Sequence, residues 1–286
     1  MHGGSQLLYL REGIVDLLSR NLEGVEDLQS VDAGTVMSAL RGKTRDPDAL
    51  DAATGRALVT KMGAGAFVLG SVTSSGSRMR IQAALHSAQR DDASGIVASV
   101  EGDTNQLLEL VDRLAADLLV NRRPGAAYRL TQTAALTTHS LPALKAFLNA
   151  EQQLRGRALD SAIAGYQRAI AEDSSFALAY YRLAVAAGWQ ERHALSSDAV
   201  IRGLHVGGRL TERDRRLMTA YAAFRAGEID DAERQYRAAL EDFPDDLEAE
   251  FQLGDVLFQY NPLRGRPRLE ARPMLDRVLA HDPGFL

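Results

Sequence analysis

The sequence contains no cysteine, which excludes disulfides, thiolate metal sites and a thiol nucleophile together. Such usage suits a reducing compartment, so a cytoplasmic location is expected, with the periplasm as the alternative if an export signal or membrane span lies upstream. Positive charge is not in excess either. The 33 lysines and arginines stand against 38 aspartates and glutamates, a net of −5 with no basic block, which argues against a nucleic-acid face. No apolar run approaches the ~20 residues that span a bilayer, and residues 1–6 lack the basic stretch and apolar core of a secretory signal.

Reactive constellations are missing as well. Gly63, Gly65 and Gly70 precede a strand instead of following one, so they read as a tight turn and not as a phosphate loop. The histidines, His2, His86, His139, His193, His205 and His281, form no i, i+4 pair and read as surface or turn residues, which leaves no metal site. The acidic pairs Asp91-Asp92, Asp230-Asp231 and Asp245-Asp246 fall at turns, where capping and solvation explain them. Neither a lysine-bearing phosphate loop nor the HRD and DFG triplets of a kinase are found. The expectation is a chain that is not an enzyme and carries no cofactor.

What is present is a repeat. Thr219, Ala220, Ala223, Gly227, Ala232, Tyr236, Ala239 and Pro244 follow one another at the spacing of a helical hairpin of about 34 residues. The pattern restarts at once with Leu253, Gly254 and Leu257, and closes with Ala271, Leu275, Val278 and Pro283 after an insertion at 261–268. Upstream, Ala146, Ala150, Ala162, Tyr166 and Ala169 fit a first unit, although Gly156 comes one residue early and Arg157 takes the glycine slot, so a differently shaped turn is expected there. A second unit begins with Tyr180, Leu183, Ala184 and Ala187 and then blurs through Gly203, Gly207 and Gly208, which predicts a helix near 197–205 and a looser joint. The spacing resembles the tetratricopeptide repeat, with about four units, the last incomplete. In that geometry Gly or Ala at offsets 8 and 20 lets the two helices of a hairpin meet.

The first 122 residues read differently. Leu7, Leu10, Ile14, Leu17 and Leu18 recur at three and four, an amphipathic helix over 6–22 stopped by Gly24. A strand is expected over 28–31 and a brief helix, capped by Asp32, over 36–40. Asp46-Pro47 opens another helix that includes Leu50 and runs to Met62-Gly63. Alternation then replaces the helical period. Phe67, Leu69 and Val72, then Met79, Ile81, Ala83 and Leu85, then Ile96, Ala98 and Val100 mark three strands, with a turn at 74–77. A long helix over 107–119, entered at Asp103-Thr104, completes this part. The fold class is α+β: a small mixed α/β sandwich domain at 1–122, a linker at 123–140, and an all-α repeat solenoid at 141–286.

The run AFVLGSVTSSGSRMRIQAALHSAQ at 66–89, followed by ASVEGD at 98–103, resembles the N-terminal domain of TolB-like proteins. Residues 251–283 resemble the last repeats of bacterial regulators in which a TolB-like module and tetratricopeptide repeats follow a serine/threonine kinase, cyclase or DNA-binding domain. The resemblance implies a non-catalytic scaffold, the sensing or docking module of a bacterial regulator. It also implies a piece of a longer chain, because TolB-like domains open on an apolar strand and tetratricopeptide arrays continue past Pro283. The alternatives are the C-terminal part of a signalling kinase or adenylate cyclase, and an envelope-associated Tol-like protein.

Repeat geometry puts offsets 2, 5, 9 and 12 of each first helix on the concave face. This nominates Phe147, Glu151 and Leu154; Tyr181 and Val185; Leu217, Tyr221 and Phe224; and Phe251, Asp255 and Phe258 as a groove for a protein or peptide partner. About half are expected in the core, since offsets 5 and 12 also pack on the next repeat. Phe147 and Glu151 stand where a clamp for an acidic chaperone tail has lysine and asparagine, so such tails are not expected. Arg264, Arg266 and Arg268 form a basic loop that either contacts an acidic partner or anchors on Asp255 and Glu270. Arg213, Arg215 and Arg216 read as a solvated, mixed-charge helix start.

Overall fold

A computed structural model describes residues 13–19, 21–22, 31, 33–41, 50–89, 95–122, 138, 140–244 and 246–281. The chain divides into two compact units, Met1–Ala134 and Ala135–Leu286.

In the first unit, helix α1 (residues 13–19 and 21–22) buries Ile14, Leu17 and Leu18, and its Asn21 donates to Asp112 at 2.9 Å. Helices α2 (Ala33–Arg41) and α3 (Ala52–Lys61) follow. The sequence pattern places Leu50 inside a helix, but the structure starts α3 two residues later. Asp51 is extended there (φ −100°, ψ 170°) and its carboxylate accepts the Thr54 N–H at 2.8 Å, ending the competition between cap and helix in favour of the cap. Gly24, residues 28–30, Asp32 and Asp46-Pro47 lie outside the described residues, and Val31 is not in a strand.

Strands β1 (Ala66–Ser75), β2 (Arg78–Ser87) and β3 (Ile96–Asp103) form an antiparallel sheet in that order, with Val72 opposite Ile81 and Ile81 opposite Val100. Gly76 turns the first hairpin at φ +60°. Met79, Ile81, Ala83, Ala98 and Val100 point to the core, and α4 (Leu107–Arg122) covers them with Leu107, Leu110, Val111, Leu114 and Leu118. The alternation slips near the end of β2. His86, expected at the surface, is buried and stacks on Phe67 with ring centroids 5.2 Å apart, while Leu85 is only half-buried.

The second unit is helical throughout its described residues. Its helices are α5 (Leu141–Arg155), α6 (Leu159–Glu172), α7 (Ala177–Trp189), α8 (His193–His205), α9 (Glu212–Ala226), α10 (Ile229–Asp242), α11 (Leu247–Tyr260) and α12 (Arg272–His281). Consecutive helices pack as antiparallel pairs: α5 on α6, α7 on α8, α9 on α10, α11 on α12. Side-chain caps mark the first helix of three pairs. Ser140 accepts from Ala143, Thr211 from Asp214, and Asp246 from Glu248 and Ala249. Small residues sit where helices meet. A Cβ on Gly165 would lie 2.7 Å from the Ala150 Cβ, and one on Gly254 would lie 2.7 Å from a Leu275 methyl. Ala220 and Ala232, at the corresponding places of the third pair, are fully buried.

The turns inside the first three pairs share one form. Gly227 occupies the left-handed region (φ 80°), its N–H reaches Phe224 O and the next N–H reaches Ala223 O. Arg157 (φ 60°) and Glu191 (φ 57°) do the same without being glycine, with the equivalent bonds to Leu154 and Gln153, and to Gly188 and Ala187. The differently shaped first turn is therefore not observed. The turn at Glu191 also explains why α8 starts at His193, one turn before the expected 197. The second joint is close rather than loose. Ser196 is buried and donates to Ala184 O at 2.8 Å, and a Cβ on Gly203 would press on Tyr180 at 2.9 Å.

Two stability measurements check this packing. Ala220→Leu overfills the α9/α10 crossing and is expected to cost about 1–3 kcal/mol in urea unfolding. Glu191→Gly relieves a left-handed side chain and is expected to stabilise by about 0.5–1 kcal/mol, since the left-handed penalty exceeds the extra chain entropy of glycine.

Candidate functional site

The inner face of the helical unit is organised by one arginine. Arg182 is the single charged residue of α7, in a helix otherwise made of Ala, Leu, Tyr, Val, Gly and Trp. Its Nε and Nη2 donate to the two oxygens of Glu151 at 2.8 and 3.0 Å, and its Nη1 donates to Glu248 at 3.0 Å. Tyr166 donates to Glu151 at 2.5 Å and Tyr181 donates to Glu248 at 2.8 Å. Burial alone would raise the Glu151 carboxyl, but the Arg182 charge and hydrogen bonds outweigh it and hold the group below the usual carboxylate range. Burial, and then the neighbouring carboxylates, push the Tyr166 and Tyr181 hydroxyls well up, so both stay protonated donors.

A second arginine extends the chain of charges. Arg213 grips Asp246 with two bonds, 2.8 and 3.0 Å, and lies 3.7 Å from Glu248. Asp246 is also the cap of α11, so the ion pair fixes that helix start on α9. Arg213 is thus not part of a solvated helix start, whereas Arg215 and Arg216 lie at the surface beside Glu212.

This network decides where the nominated groove residues go. Phe147, Glu151, Leu154, Tyr181, Val185, Leu217, Tyr221 and Phe224 are all buried. The expectation that half of the nominated residues line open surface is corrected: in the first three repeats these side chains pack on neighbouring helices or join the ion pairs. Phe147 packs on Phe176 (4.9 Å) and Tyr166 (5.8 Å), and the Tyr221 hydroxyl donates to Ala184 O at 3.2 Å. Only the fourth repeat opens. Phe251 and Asp255 are half-buried and Phe258 is 47% exposed.

Facing them is Trp189, which the offset pattern does not nominate. It is 42% exposed and meets Phe251 edge-on, with centroids 6.0 Å apart. Arg225 lies 5.9 Å from the Phe224 ring and reaches His193 Nδ1 at 3.0 Å. The side chains of Trp189, Phe251 and Asp255 form a strip shared by α7 and α11, while the buried Phe224 packs on Tyr221 and Tyr260.

The basic loop turns inward. Arg264 bonds to Asp230 and lies 2.8 Å from Glu233, and Arg266 reaches Glu233 at 2.7 Å and Glu270 at 2.5 Å. The loop anchors on α10 and on Glu270, not on Asp255. Arg268 lies over Phe258, 4.7 Å from the ring centroid. Asn261, fully buried, shapes the insertion. Its backbone carbonyl accepts from Arg264 and Arg266, and its amide donates to Pro267 O and Glu270. Burial opposes ionisation of Glu233, but hydrogen bonds from Arg266, Arg237 and Arg264 win and draw its pKa down to about 2. Among the described residues no group of three or more His, Asp or Glu is placed to hold a metal ion, and no helix is long and apolar enough to cross a membrane.

Comparison with known proteins agrees with the repeat. Residues 213–256 match the family described as Tetratricopeptide repeat. No curated protein matches the sequence. Solved structures similar to this chain include the first tetratricopeptide domain of Spaghetti (RPAP3) bound to the HSP90 peptide SRMEEVD. That likeness has 19% identity, covers 41% of this chain and 91% of that one, and has a TM-score of 0.33. The tetratricopeptide protein YrrB, with an unusual peptide-binding site, is 26% identical over 50% of this chain and 70% of its own, at a TM-score of 0.32. MamA is 16% identical over 62% and 83%, at 0.33. The family match lies within the helical unit, on α9, α10 and the first part of α11.

Two measurements test the charge network. Arg182→Ala strands Glu151 and Glu248 and is expected to cost about 3–5 kcal/mol, read from the urea midpoint. Because the folded pKa of Glu233 is depressed, its contribution is present above the unfolded carboxylate value and lost as pH falls. Glu233→Gln is therefore expected to be less stable than the parent by about 2 kcal/mol at neutral pH, discounted for screening, with the difference vanishing between about pH 5 and pH 2.

Proposed function

We propose that the helical unit is a protein-docking module that holds a peptide segment of its partner on the strip of Trp189, Phe251 and Asp255, and that the chain performs no catalysis of its own. The observation that carries this reading is Trp189, a large aromatic side chain left 42% exposed against Phe251, whereas the nominated side chains of the first three repeats are packed shut or ion-paired. Aromatic residues half-covered in a concavity are the usual anchors of an interface, because covering them removes apolar surface from water with few rotamers to freeze. The strip is built on two packed helices, so its shape exists before the partner arrives.

At the finer level we read the chain as part of a bacterial regulator, with a TolB-like first unit and the repeats as its sensing or docking part. The support is the likeness of residues 66–89 and 98–103 to TolB-like domains. Sequencing the genomic frame ahead of Met1 tests it: an in-frame effector domain favours the reading, and an in-frame stop codon removes it. For the docking strip, the test is peptide-array or pull-down binding by the parent and by the Trp189→Ala/Phe251→Ala double variant. Loss of two aromatic anchors is expected to weaken binding by about a hundredfold. Undiminished binding would take the concave strip out of the account.

A further inference from the structure

The inner face keeps its charges matched almost everywhere. Glu151 and Glu248 share Arg182, Asp246 and Asp214 share Arg213, and Glu250 holds Arg277 at 2.7 Å. Asp255 stands apart. Its carboxylate is half-buried and its one hydrogen bond among the described residues comes from the neutral amide of Gln259, at 2.7 Å. Arg225 on α9 bonds His193 and leaves its buried Nε without a partner, and it makes no ion pair with Asp255 among the described residues.

Asp255 also sits beside the exposed tryptophan. Phe251 precedes it by four residues on α11, so both share one face of the helix, and Trp189 abuts Phe251. Tyr221 joins the two sides. Its hydroxyl lies against Gly188, the residue before Trp189, and burial together with the field of Asp255 raises its pKa against the pull of Ser196 and Arg225. Burial raises the Asp255 carboxyl as well, the mark of a charge lacking its counterion.

The chain shows what fills such a place. Glu151 stands at the same offset of the first repeat as Asp255 does in the fourth, and it is met by a guanidinium between tyrosines. One turn past Asp255, Phe258 carries the Arg268 guanidinium on its ring face.

We propose that the strip recognises a basic side chain, lysine or arginine, in an extended partner peptide, with the cation on Asp255 and the aliphatic stem across Trp189 and Phe251. This rests on the docking reading above and names the chemistry of the segment bound. The chain's one tryptophan lies in the site and reports occupancy by its own emission.

The test uses fluorescein-labelled heptapeptide pools, randomised except at a central Lys, Glu or Leu, titrated against the whole chain by anisotropy and by Trp189 emission. The Lys pool is expected to bind about tenfold more tightly than the Leu pool and to shift the emission, with the Glu pool weakest. Asp255→Asn, nearly isosteric and checked for an unchanged circular dichroism spectrum, is expected to abolish the preference for Lys while leaving the Leu pool bound. Equal binding of the Lys and Leu pools overturns the cation site and leaves the docking strip standing. A Lys preference that survives Asp255→Asn overturns Asp255 as the acceptor. Binding by none of the pools overturns this inference and the docking reading with it.

Discussion

The inner face of the repeats depends on Arg182 being held between two carboxylates. Removing a guanidinium and two carboxylates from water costs several kcal/mol per ion, and the attraction between them offsets this only when geometry is good and the remaining lone pairs are satisfied. Here both conditions are met. Three short bonds run from Arg182 to Glu151 and Glu248, and two tyrosine hydroxyls complete the acceptors. The consequence is geometric more than energetic. Glu151, Arg182 and Glu248 lie on α5, α7 and α11, so the pairs fix the positions of the first, second and fourth repeats on one another. A register that shifted any of them would leave a charge without its partner.

The close crossings make that arrangement reachable. Ala150 against Gly165 and Gly254 against Leu275 leave no room for a larger side chain, and each hairpin behaves as a rigid block. The blocks then need only side chains of arginine length to be stitched together across the concavity. Arg213 on Asp246 repeats the device, and it uses the carboxylate that caps α11. Arg264 and Arg266 on Glu233 use it again outside the concavity, tying the insertion to the preceding hairpin.

How much of this is written locally in the chain follows from the range of the interactions. Alanine and glycine spacing predicts the hairpins because a crossing is a property of one repeat. The strands at 66–103 are legible for the same reason, up to the point where β2 changes phase and His86 enters the core. Left-handed turns at Arg157 and Glu191 hide from a reading that looks for glycine, and the start of α8 is displaced as a result. The charge network is harder still. Arg182 finds Glu151 and Glu248 across 31 and 66 residues of sequence, and no local spacing encodes such a pairing. One signal was available: a lone arginine in an apolar helix asks for buried partners. Trp189 escapes for a different reason, since it lies past the last nominated position of its helix, and its contact with Phe251 on α11 is made across the fold.

The two ends of the concave face therefore differ in kind. Toward the first repeat the chain fills its own groove, with Arg182 taking the place that a ligand cation would occupy and the flanking aromatics sealed beneath it. Toward the fourth repeat Arg268 lies on Phe258, and among the described residues no cation pairs with Asp255. Specificity in such a surface is set as much by what the filled half refuses as by what the open half accepts. A partner segment could not displace Arg182 without stranding two carboxylates, so in the proposed docking a peptide is confined to a short footprint of α7 and α11. Within that footprint a carboxylate-bearing side chain would meet Asp255 at close range in a poorly solvated setting, where like charges repel strongly, while a neutral one would leave the acid uncompensated. In the proposed docking, the sign of the partner's charge follows from the same electrostatics that hold the rest of the inner face together.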